Sequence, residues 1–166
     1  MSDPTEIPDA EATLAALAER MRAAVAFDAA FVGIYSGGAW IADRLATMIP
    51  GEHPVGYIDV SFYRDDYARS GLKGGAKRSE LPFDVEGATI VLVDDVLYTG
   101  RTIRAAVNEL YDFGRPASVT LAVLVDRGGR ELPICAALAP ATIELPAGQR
   151  LSLARDDVGK FSFEIR

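Results

Sequence analysis

The chain has 166 residues, of which 49% are hydrophobic, and it carries a net charge of −7. This length fits one domain with a full hydrophobic core, and this composition excludes disorder of the chain as a whole. The acidic balance argues against broad nucleic-acid binding, and no apolar run approaches the roughly 18 residues of a membrane span. A single cysteine, a single histidine and an N-terminus without signal-peptide features predict a cytoplasmic protein with neither a disulfide nor a zinc site.

Hydrophobic periodicity divides the chain into alternating strands and helices. In chain order the predicted elements are a helix over residues 9–25 with Asp9 as N-cap, a strand over 31–35, a helix over 39–49, strands over 55–63 and 89–94, a helix from 101 to 114, a strand over 118–125, and short strand pieces at 134–138, 142–145, 151–154 and 161–165. This alternation predicts an α/β fold with a mostly parallel, doubly wound sheet flanked by helices. Such sheets bind ligands at the carboxyl ends of their strands.

The first polar turn, Ser36-Gly37-Gly38, lies between a strand and a helix. Small residues at a helix start leave backbone N–H groups accessible, so this turn is a candidate anion site. A dinucleotide-binding turn is the alternative, with Asp59 as its acidic residue. The G-x-G-x-x-G spacing of that motif is absent, which disfavours it.

Residues 64–82 form a long predicted loop that is rich in glycine and cations and almost free of aliphatic residues. Long loops inside compact domains are usually functional or disordered. A mobile cationic lid of this kind could close over a polyphosphate and exclude water. The alternative is a solvated excursion without a function.

The second polar turn follows the mostly apolar predicted strand at residues 89–94. Asp94 and Asp95 come at the end of that strand, and Val96-Leu97-Tyr98-Thr99-Gly100 leads into the next helix. The first N–H groups of a helix attract a phosphate, while a pair of carboxylates can accept hydrogen bonds from sugar hydroxyls. The turn therefore predicts a sugar-phosphate site, and the alternative is a polar turn without a ligand.

The sequence VLVDDVLYTGRT in this turn resembles the ribose-phosphate motif of type I phosphoribosyltransferases. The segments DVSFYRDD, LVDRGGRELP and FGRPASVTLAVLVDR are similar to the PyrR family of pyrimidine-operon regulators, which are also uracil phosphoribosyltransferases. The resemblance covers residues 31–133. It implies the type I phosphoribosyltransferase fold with a small hood and a flexible lid, and the conversion of uracil and 5-phosphoribosyl-1-pyrophosphate (PRPP) to UMP and pyrophosphate.

The resemblance also implies roles for particular residues. Asp94 and Asp95 would bind the ribose hydroxyls, Thr99, Gly100, Arg101 and Thr102 the 5′-phosphate, and Ser36, Gly37 and Gly38 the pyrophosphate, while Arg64 of the lid would offset its charge. A cis peptide is common in the pyrophosphate loop of the family. Mg²⁺ would bind through PRPP, with Asp94 and Asp95 as the candidate protein contacts, so no direct set of protein ligands is expected.

Tyr98 and Arg127 are the predicted base-pocket residues. Many purine-specific relatives carry an acid immediately before the Thr-Gly pair, and this chain has Tyr98 there. This substitution favours a pyrimidine, which backbone groups and Arg127 would bind. Transfer to another base is a further alternative.

Two departures from the family pattern bear on function. The T-R-G arrangement of many pyrophosphate loops is Ser36-Gly37-Gly38 here, so one cation is missing. Gly129 replaces the histidine of the DRGHREL segment that RNA-binding members carry, which argues against RNA binding. A UMP-sensing, RNA-binding attenuator with little catalysis nevertheless remains the main alternative function. The resemblance also implies a homodimer or homotetramer.

Overall fold

A computed structural model describes residues 6–61 and 79–166 of the chain. Its elements, in chain order, are α1 (Ala10–Ala24), β1 (Ala30–Ile34), α2 (Gly37–Met48), β2 (Val55–Ile58), β3 (Thr89–Leu97), α3 (Arg101–Phe113), β4 (Ser118–Asp126), β5 (Ala141–Thr142), β6 (Leu151–Arg155) and β7 (Phe161–Ile165). Strands β1 to β5 form one sheet in the order β2-β1-β3-β4-β5, and every neighbouring pair is parallel. The predicted parallel α/β sheet is confirmed.

The sheet is covered by helices on both faces because its strands bury alternate residues in opposite directions. On β3, Val91 and Val93 belong to a core with α1 and α2, whereas Ile90 and Leu92 belong to a second core with α3. All four side chains are at most 2% exposed. Because both faces of β3 are buried, helices must cover both sides of the sheet, which is the doubly wound arrangement.

The N-cap of α1 is the residue that the sequence predicts. The Asp9 carboxylate accepts the N–H of Ala12 at 2.7 Å, which satisfies one of the unpaired donors of the first turn. Leu14, Leu17 and Met21, at helical spacing, are fully buried against the sheet. Capping and periodicity together therefore fix the start and the buried face of this helix.

The last part of the chain forms a separate antiparallel hairpin, β6–β7, beside the parallel sheet. Leu151, Leu153 and Phe161 of this hairpin pack into the core that contains α1 and α2. We call residues 146–166 the hood. Among the described residues, no helix is long and apolar enough to cross a membrane.

Three predicted boundaries are wrong. Strand β3 continues to Leu97, because its ladder with β4 extends through Val96 and Leu97, so Asp94 and Asp95 lie inside the strand rather than after it. Helix α2 begins at Gly37, two residues earlier than predicted. Strand β2 ends at Ile58 rather than at residue 63.

The other differences concern the short pieces and the lid. The piece predicted at 134–138 contributes only an isolated bridge from Leu138 to Ala122. The piece predicted at 142–145 is the two-residue strand β5. Residues 62–78, with most of the predicted lid and Arg64, lie outside the described residues.

Candidate active site

One cavity of about 710 Å³ opens at the carboxyl edge of the sheet, where the ends of β1 and β3 meet the hood. Its lining comprises Tyr35, Ser36, Gly37, residues 94–103, Arg127 and residues 148–153. The structure therefore places nearly all of the described predicted site residues around one space. Gly38 lies outside this lining.

The β3–α3 turn forms one end of the cavity. Gly100 has a φ of 95°, a left-handed conformation that disfavours residues with a Cβ. The N-cap residue Gly100 offers no side chain to cap α3, and the first N–H of the helix, that of Arg101, donates to Thr99 Oγ1 at 3.2 Å. This helix start lines the cavity with Thr102, and its dipole favours an anion there.

The loop after β4 holds the β3–α3 turn in place. The carbonyl oxygen of Thr99 accepts the N–H groups of Glu131 and Leu132 at 2.9 and 3.2 Å. Arg101 Nε forms a salt bridge of 2.8 Å with Glu131, and both side chains are half exposed. These contacts hold the β3–α3 turn against the loop that follows β4.

The β1–α2 turn forms the other end of the cavity. Ser36 is the N-cap of α2, its side chain makes no cap hydrogen bond, and the Tyr35–Ser36 peptide bond is cis. A Cβ at Gly37 would lie 2.7 Å from Asp95 Oδ2, and a Cβ at Gly38 would collide with the carbonyl oxygen of Val93. The two glycines therefore let this turn pack directly on β3, with Gly37 in the cavity wall and Gly38 beneath it.

The two acids lie between the two turns. Asp94 is only 7% exposed, and its Oδ1 accepts the N–H of Asp95 at 2.9 Å. Asp95 Oδ1 accepts the N–H of Val96 at 2.8 Å, which leaves Oδ2 against Gly37. Backbone donors orient both carboxylates at the cavity wall, where they can accept hydrogen bonds from a diol.

The acids also fit a hard cation that is shared with a ligand. Carboxylate oxygens are suitable ligands for Mg²⁺, which usually keeps few protein ligands and completes its shell with substrate oxygens and water. The described residues contain no group of three or more His, Cys, Asp or Glu that could hold a metal ion. A metal at this wall would therefore need oxygen atoms from the ligand.

Tyr98 and Arg127 stack on each other at the third side of the cavity. The guanidinium carbon of Arg127 lies 3.8 Å from the centre of the Tyr98 ring. Arg127 is 8% exposed, its Nη1 donates to the carbonyl oxygen of Gln149 at 2.8 Å, and its Nε has no partner among the described residues. Tyr98 is 43% exposed. Arg127 thus joins the wall of the cavity to the hood.

Gly129 and Arg130, in the loop after β4, also contact Tyr98. A Cβ at Gly129 would collide with the Tyr98 ring, and Gly129 has a φ of 71°. Arg130 Nη1 donates to the carbonyl oxygen of Tyr98, and Arg130 Nη2 forms a salt bridge with Asp126, both at 2.6 Å. The glycine at position 129 therefore provides the space that Tyr98 occupies.

A pair of tyrosines lies behind the β1–α2 turn. The rings of Tyr35 and Tyr57 are 5.4 Å apart, and the Tyr57 hydroxyl donates to Asp43. That hydrogen bond, together with burial, raises the pKa of Tyr57 to about 12. Burial, followed by the nearby Glu80 and Asp43 carboxylates, raises the pKa of Tyr35. Both phenols therefore stay protonated next to the turn.

The hood residues of the lining were missed by sequence reasoning. Residues 148–153 enter the cavity from the far end of the chain, and the sequence predicts only a short strand at 151–154. Tyr35 was assigned only to a strand. No motif marks these positions, because their place in the site depends on how the hairpin docks.

Residues 5–138 match the family described as the phosphoribosyl transferase domain. Among solved structures, a hypoxanthine-guanine phosphoribosyltransferase from Bacillus anthracis aligns with a TM-score of 0.65 and 15% identity over 89% of this chain and 88% of that one. A hypoxanthine phosphoribosyltransferase from Staphylococcus aureus gives 0.62 and 18% over 84% and 77%. The fold is that of the type I phosphoribosyltransferases.

Curated relatives narrow this class. The chain is 54% identical over 153 residues to the Bifunctional protein PyrR of Ralstonia nicotianae, which covers 90% of this chain and 83% of the relative. It is 52% identical over 124 residues to the Bifunctional protein PyrR of Pseudomonas fluorescens, covering 75% and 74%. The chain belongs to the PyrR family, as its sequence motifs indicate.

Proposed function

We propose that this chain is a uracil phosphoribosyltransferase that converts uracil and PRPP to UMP and pyrophosphate. One observation carries the proposal: a single cavity joins two helix starts whose N-cap residues make no side-chain cap hydrogen bond, with two oriented carboxylates between them. PRPP has the matching order of groups, since its 5′-phosphate and its pyrophosphate flank a ribose diol. Two anion sites and a diol site in this order fit that molecule.

Each end of PRPP has a matching binding group. The N–H groups at the start of α3, with the Thr99 and Thr102 hydroxyls, Gly100 and Arg101, bind the 5′-phosphate. Ser36, Gly37 and Gly38 bind the pyrophosphate at the start of α2. Asp94 and Asp95 hold the ribose hydroxyls, and their charge stabilises the positive charge that develops at C1′ in the transition state. Arg64, in the predicted lid, offsets the charge of the leaving pyrophosphate.

The reaction needs positioning more than a nucleophile from the protein. The bond from C1′ to the pyrophosphate oxygen breaks, and its electron pair leaves with pyrophosphate. The bond from N1 of uracil to C1′ forms, and the N1 proton passes to solvent. A cavity that fixes both reactants accounts for a large share of such a rate enhancement. Mg²⁺, held by PRPP oxygens together with Asp94 or Asp95, would supply positive charge to the pyrophosphate.

The base occupies the side of the cavity formed by Tyr98, Arg127 and the hood. Tyr98 offers an exposed ring on which a base can stack, and its ring is held by Arg127. The chain lacks an acid at position 98 that could bind a purine ring nitrogen. These features favour uracil over purines.

The test is formation of UMP from PRPP and Mg²⁺ across a panel of uracil, cytosine, hypoxanthine, guanine and adenine. We expect turnover with uracil and at least tenfold less with each other base. A folded sample that binds PRPP but forms no UMP would contradict the proposal. Faster turnover with a purine would contradict uracil as the substrate but would still support phosphoribosyl transfer.

A second candidate function is regulation of transcription through RNA. It is favoured by the relatives, which carry the name Bifunctional protein PyrR. The net charge of −7 and Gly129 in place of a histidine oppose it. Gel shifts with a pyrimidine-operon leader, with and without UMP and over a range of salt, test it directly. UMP-dependent, leader-specific binding would add this function, and binding that ignores sequence would reject it.

Oligomerisation belongs to the same proposal. The PyrR resemblance implies a homodimer or homotetramer, and sedimentation of the full chain with and without UMP measures which is present. A monomer at micromolar concentration would contradict this part of the proposal without affecting the enzymatic part.

A further inference from the structure

A small group of side chains attaches the hood to helices α1 and α2. We call this group the docking cluster, and its members are Glu11, Trp40, Arg44, Arg155 and Phe161. It combines an aromatic half and a charged half. None of its members lines the cavity.

The aromatic half is a stack around Trp40. The guanidinium carbon of Arg155, on β6, lies 4.5 Å from the centre of the Trp40 ring. Phe161, on β7, stacks on the same tryptophan with ring centres 6.5 Å apart and an interplanar angle of 25°. Both strands of the hood hairpin therefore contact one side chain of α2.

The charged half joins the hairpin to both N-terminal helices. Glu11 Oε1 accepts the backbone N–H of Phe161 at 2.8 Å, and Glu11 Oε2 forms a salt bridge of 2.8 Å with Arg44. Arg44 Nη1 also donates to the carbonyl oxygen of Gly159 at 3.3 Å, and its guanidinium lies 5.0 Å from the Phe161 ring. The hairpin is thus held through its backbone as well as its side chains.

The docking cluster lies one helical turn away from the β1–α2 turn. Trp40 belongs to the first turn of α2, and its N–H donates to the carbonyl oxygen of Ser36 at 3.3 Å. Ser36 and Gly37 line the cavity from this side, and Leu151 and Leu153 of the hood line it from the other. A displacement of the helix start therefore moves the ring on which the hood rests.

We propose that the docking cluster couples the two halves of the active site, so that binding at the β1–α2 turn and closure of the hood over the nucleotide favour each other. The members are positioning residues that act through α2. This inference rests on the proposed function, because it takes pyrophosphate as the ligand of the turn and UMP as the ligand under the hood. Coupling of this kind is reciprocal, so each ligand tightens the binding of the other by the same factor.

The sign of the effect separates this coupling from simple electrostatics. Two anions in neighbouring subsites repel each other and would weaken each other's binding. A hood whose position is set once for both ligands gives the opposite sign, because the second ligand no longer bears the cost of moving it. We expect UMP to tighten Mg²⁺-pyrophosphate binding about fivefold or more, the lower end of typical coupling factors.

The first measurement uses Trp40, which is the only tryptophan of the chain. Its emission should change on addition of Mg²⁺-pyrophosphate alone and again on addition of UMP, because both ligands shift the Arg155 and Phe161 contacts. Calorimetry on the same sample records whether each ligand binds. Binding of both ligands with unchanged Trp40 emission would overturn the coupling, while absence of binding by either ligand would overturn the proposed function itself.

The second measurement is a set of variants titrated with Mg²⁺-pyrophosphate in the absence and presence of saturating UMP. In Arg155→Gln and Glu11→Gln, we expect the coupling factor to fall toward one while the affinity for pyrophosphate alone changes by less than about twofold. Arg166→Gln is the matched control, because it removes a cation of the same hairpin whose partner, Glu164, is an exposed residue of β7.

The control should keep the coupling factor of the wild-type chain. An unchanged factor in both cluster variants would overturn the proposal, as would an equal loss in Arg166→Gln. Thermal unfolding of each variant verifies that it is folded at the temperature of the titration. If a variant is not folded there, the Trp40 measurement on the wild-type chain still decides the question.

Discussion

The two sides of the cavity are built in different ways. The sheet edge consists of two strand–turn–helix units, in which neighbouring residues of the chain supply the strand, the glycine and the helix start. The hood is held by contacts between distant residues, such as Glu11 with Phe161 and Arg127 with Gln149. In the proposed function the edge binds its ligand through backbone groups and tolerates few additions, whereas separate long-range contacts attach the hood and can be removed one at a time.

The largest expected effect is at the acids of the edge. Asp95→Asn keeps the shape of the side chain but removes the charge that faces the ribose, so kcat/KM for PRPP should fall by about 10²- to 10³-fold. Steady-state kinetics with uracil measures this. Asp112→Asn, on the exposed surface of α3, is the matched control and should retain full activity. A loss below threefold in Asp95→Asn would show that this carboxylate is not catalytic.

The next effect tests the close packing of the β1–α2 turn. In Gly37→Ala, the new Cβ would lie 2.7 Å from Asp95 Oδ2, so the turn or the carboxylate must shift. We expect pyrophosphate affinity to fall by about tenfold or more. Stability should be retained, because alanine favours the helix start by up to about 1 kcal/mol relative to glycine. Calorimetry and a denaturant melt on the same sample measure the two quantities, and unchanged affinity would contradict the predicted subsite.

A smaller effect is expected at the β3–α3 turn. Thr99→Ala removes one hydroxyl, while the backbone N–H groups of α3 remain, so UMP affinity should fall by roughly five- to tenfold, the net contribution of a single hydrogen bond. Titration calorimetry with UMP measures the change. Thr47→Ala serves as the control, because Thr47 also makes a local hydrogen bond, to the Arg44 carbonyl, but lies outside the cavity lining. Equal losses in both variants would assign the effect to stability rather than to phosphate binding.

The smallest effect concerns the pH dependence of hood attachment. The hydrogen bond from Arg44 holds the pKa of Glu11 below its ordinary value of 4.5. A lowered pKa means that Glu11 contributes stability above about pH 4.5, and that this contribution is lost as the pH falls through the lower pKa of the folded state. Glu11→Gln should reduce the free energy of unfolding at pH 7 by about 1 kcal/mol or less.

The same variant should show a smaller loss of stability between pH 4.5 and pH 3 than the wild-type chain. Denaturant melts at these pH values measure the difference. Glu164→Gln, which removes the exposed partner of Arg166, is the control and should change neither value measurably. Parallel pH curves for Glu11→Gln and the wild-type chain would contradict the role of Glu11 in holding the hood.

The sheet edge and the hood also differ in how well they could be predicted from the sequence. The main strands and helices and the two turns could be predicted from local patterns, because the residues that make each turn are adjacent in the chain. The resemblance to the PyrR family is likewise carried by short continuous motifs. The sequence placed Asp94 and Asp95 after β3, and the error has a local cause: acids are uncommon in strands, but here their carboxylates bind the N–H groups that follow them. The ladder to β4 then continues past them.

The hood could be predicted only from the family resemblance. Nothing local to Gln149 indicates that its carbonyl accepts a hydrogen bond from Arg127, and nothing near Glu11 indicates a contact with a residue 150 positions away. Such contacts depend on the packing of the whole chain. The individual roles of the site residues, including Arg64, are predictions, and the variants above test those of Asp95, Gly37 and Thr99.

The two helix starts at the cavity belong to opposite layers of the molecule. Helix α2 packs on one face of the sheet through Ile41 and Leu45, and α3 packs on the other through Ile103 and Leu110. A ligand that reaches both helix starts would link the two cores, which lie on opposite faces of the sheet. We therefore expect PRPP to raise the unfolding temperature by more than phosphate and ribose do together at equal occupancy. A thermal melt with each ligand then tests whether one molecule contacts both helix starts.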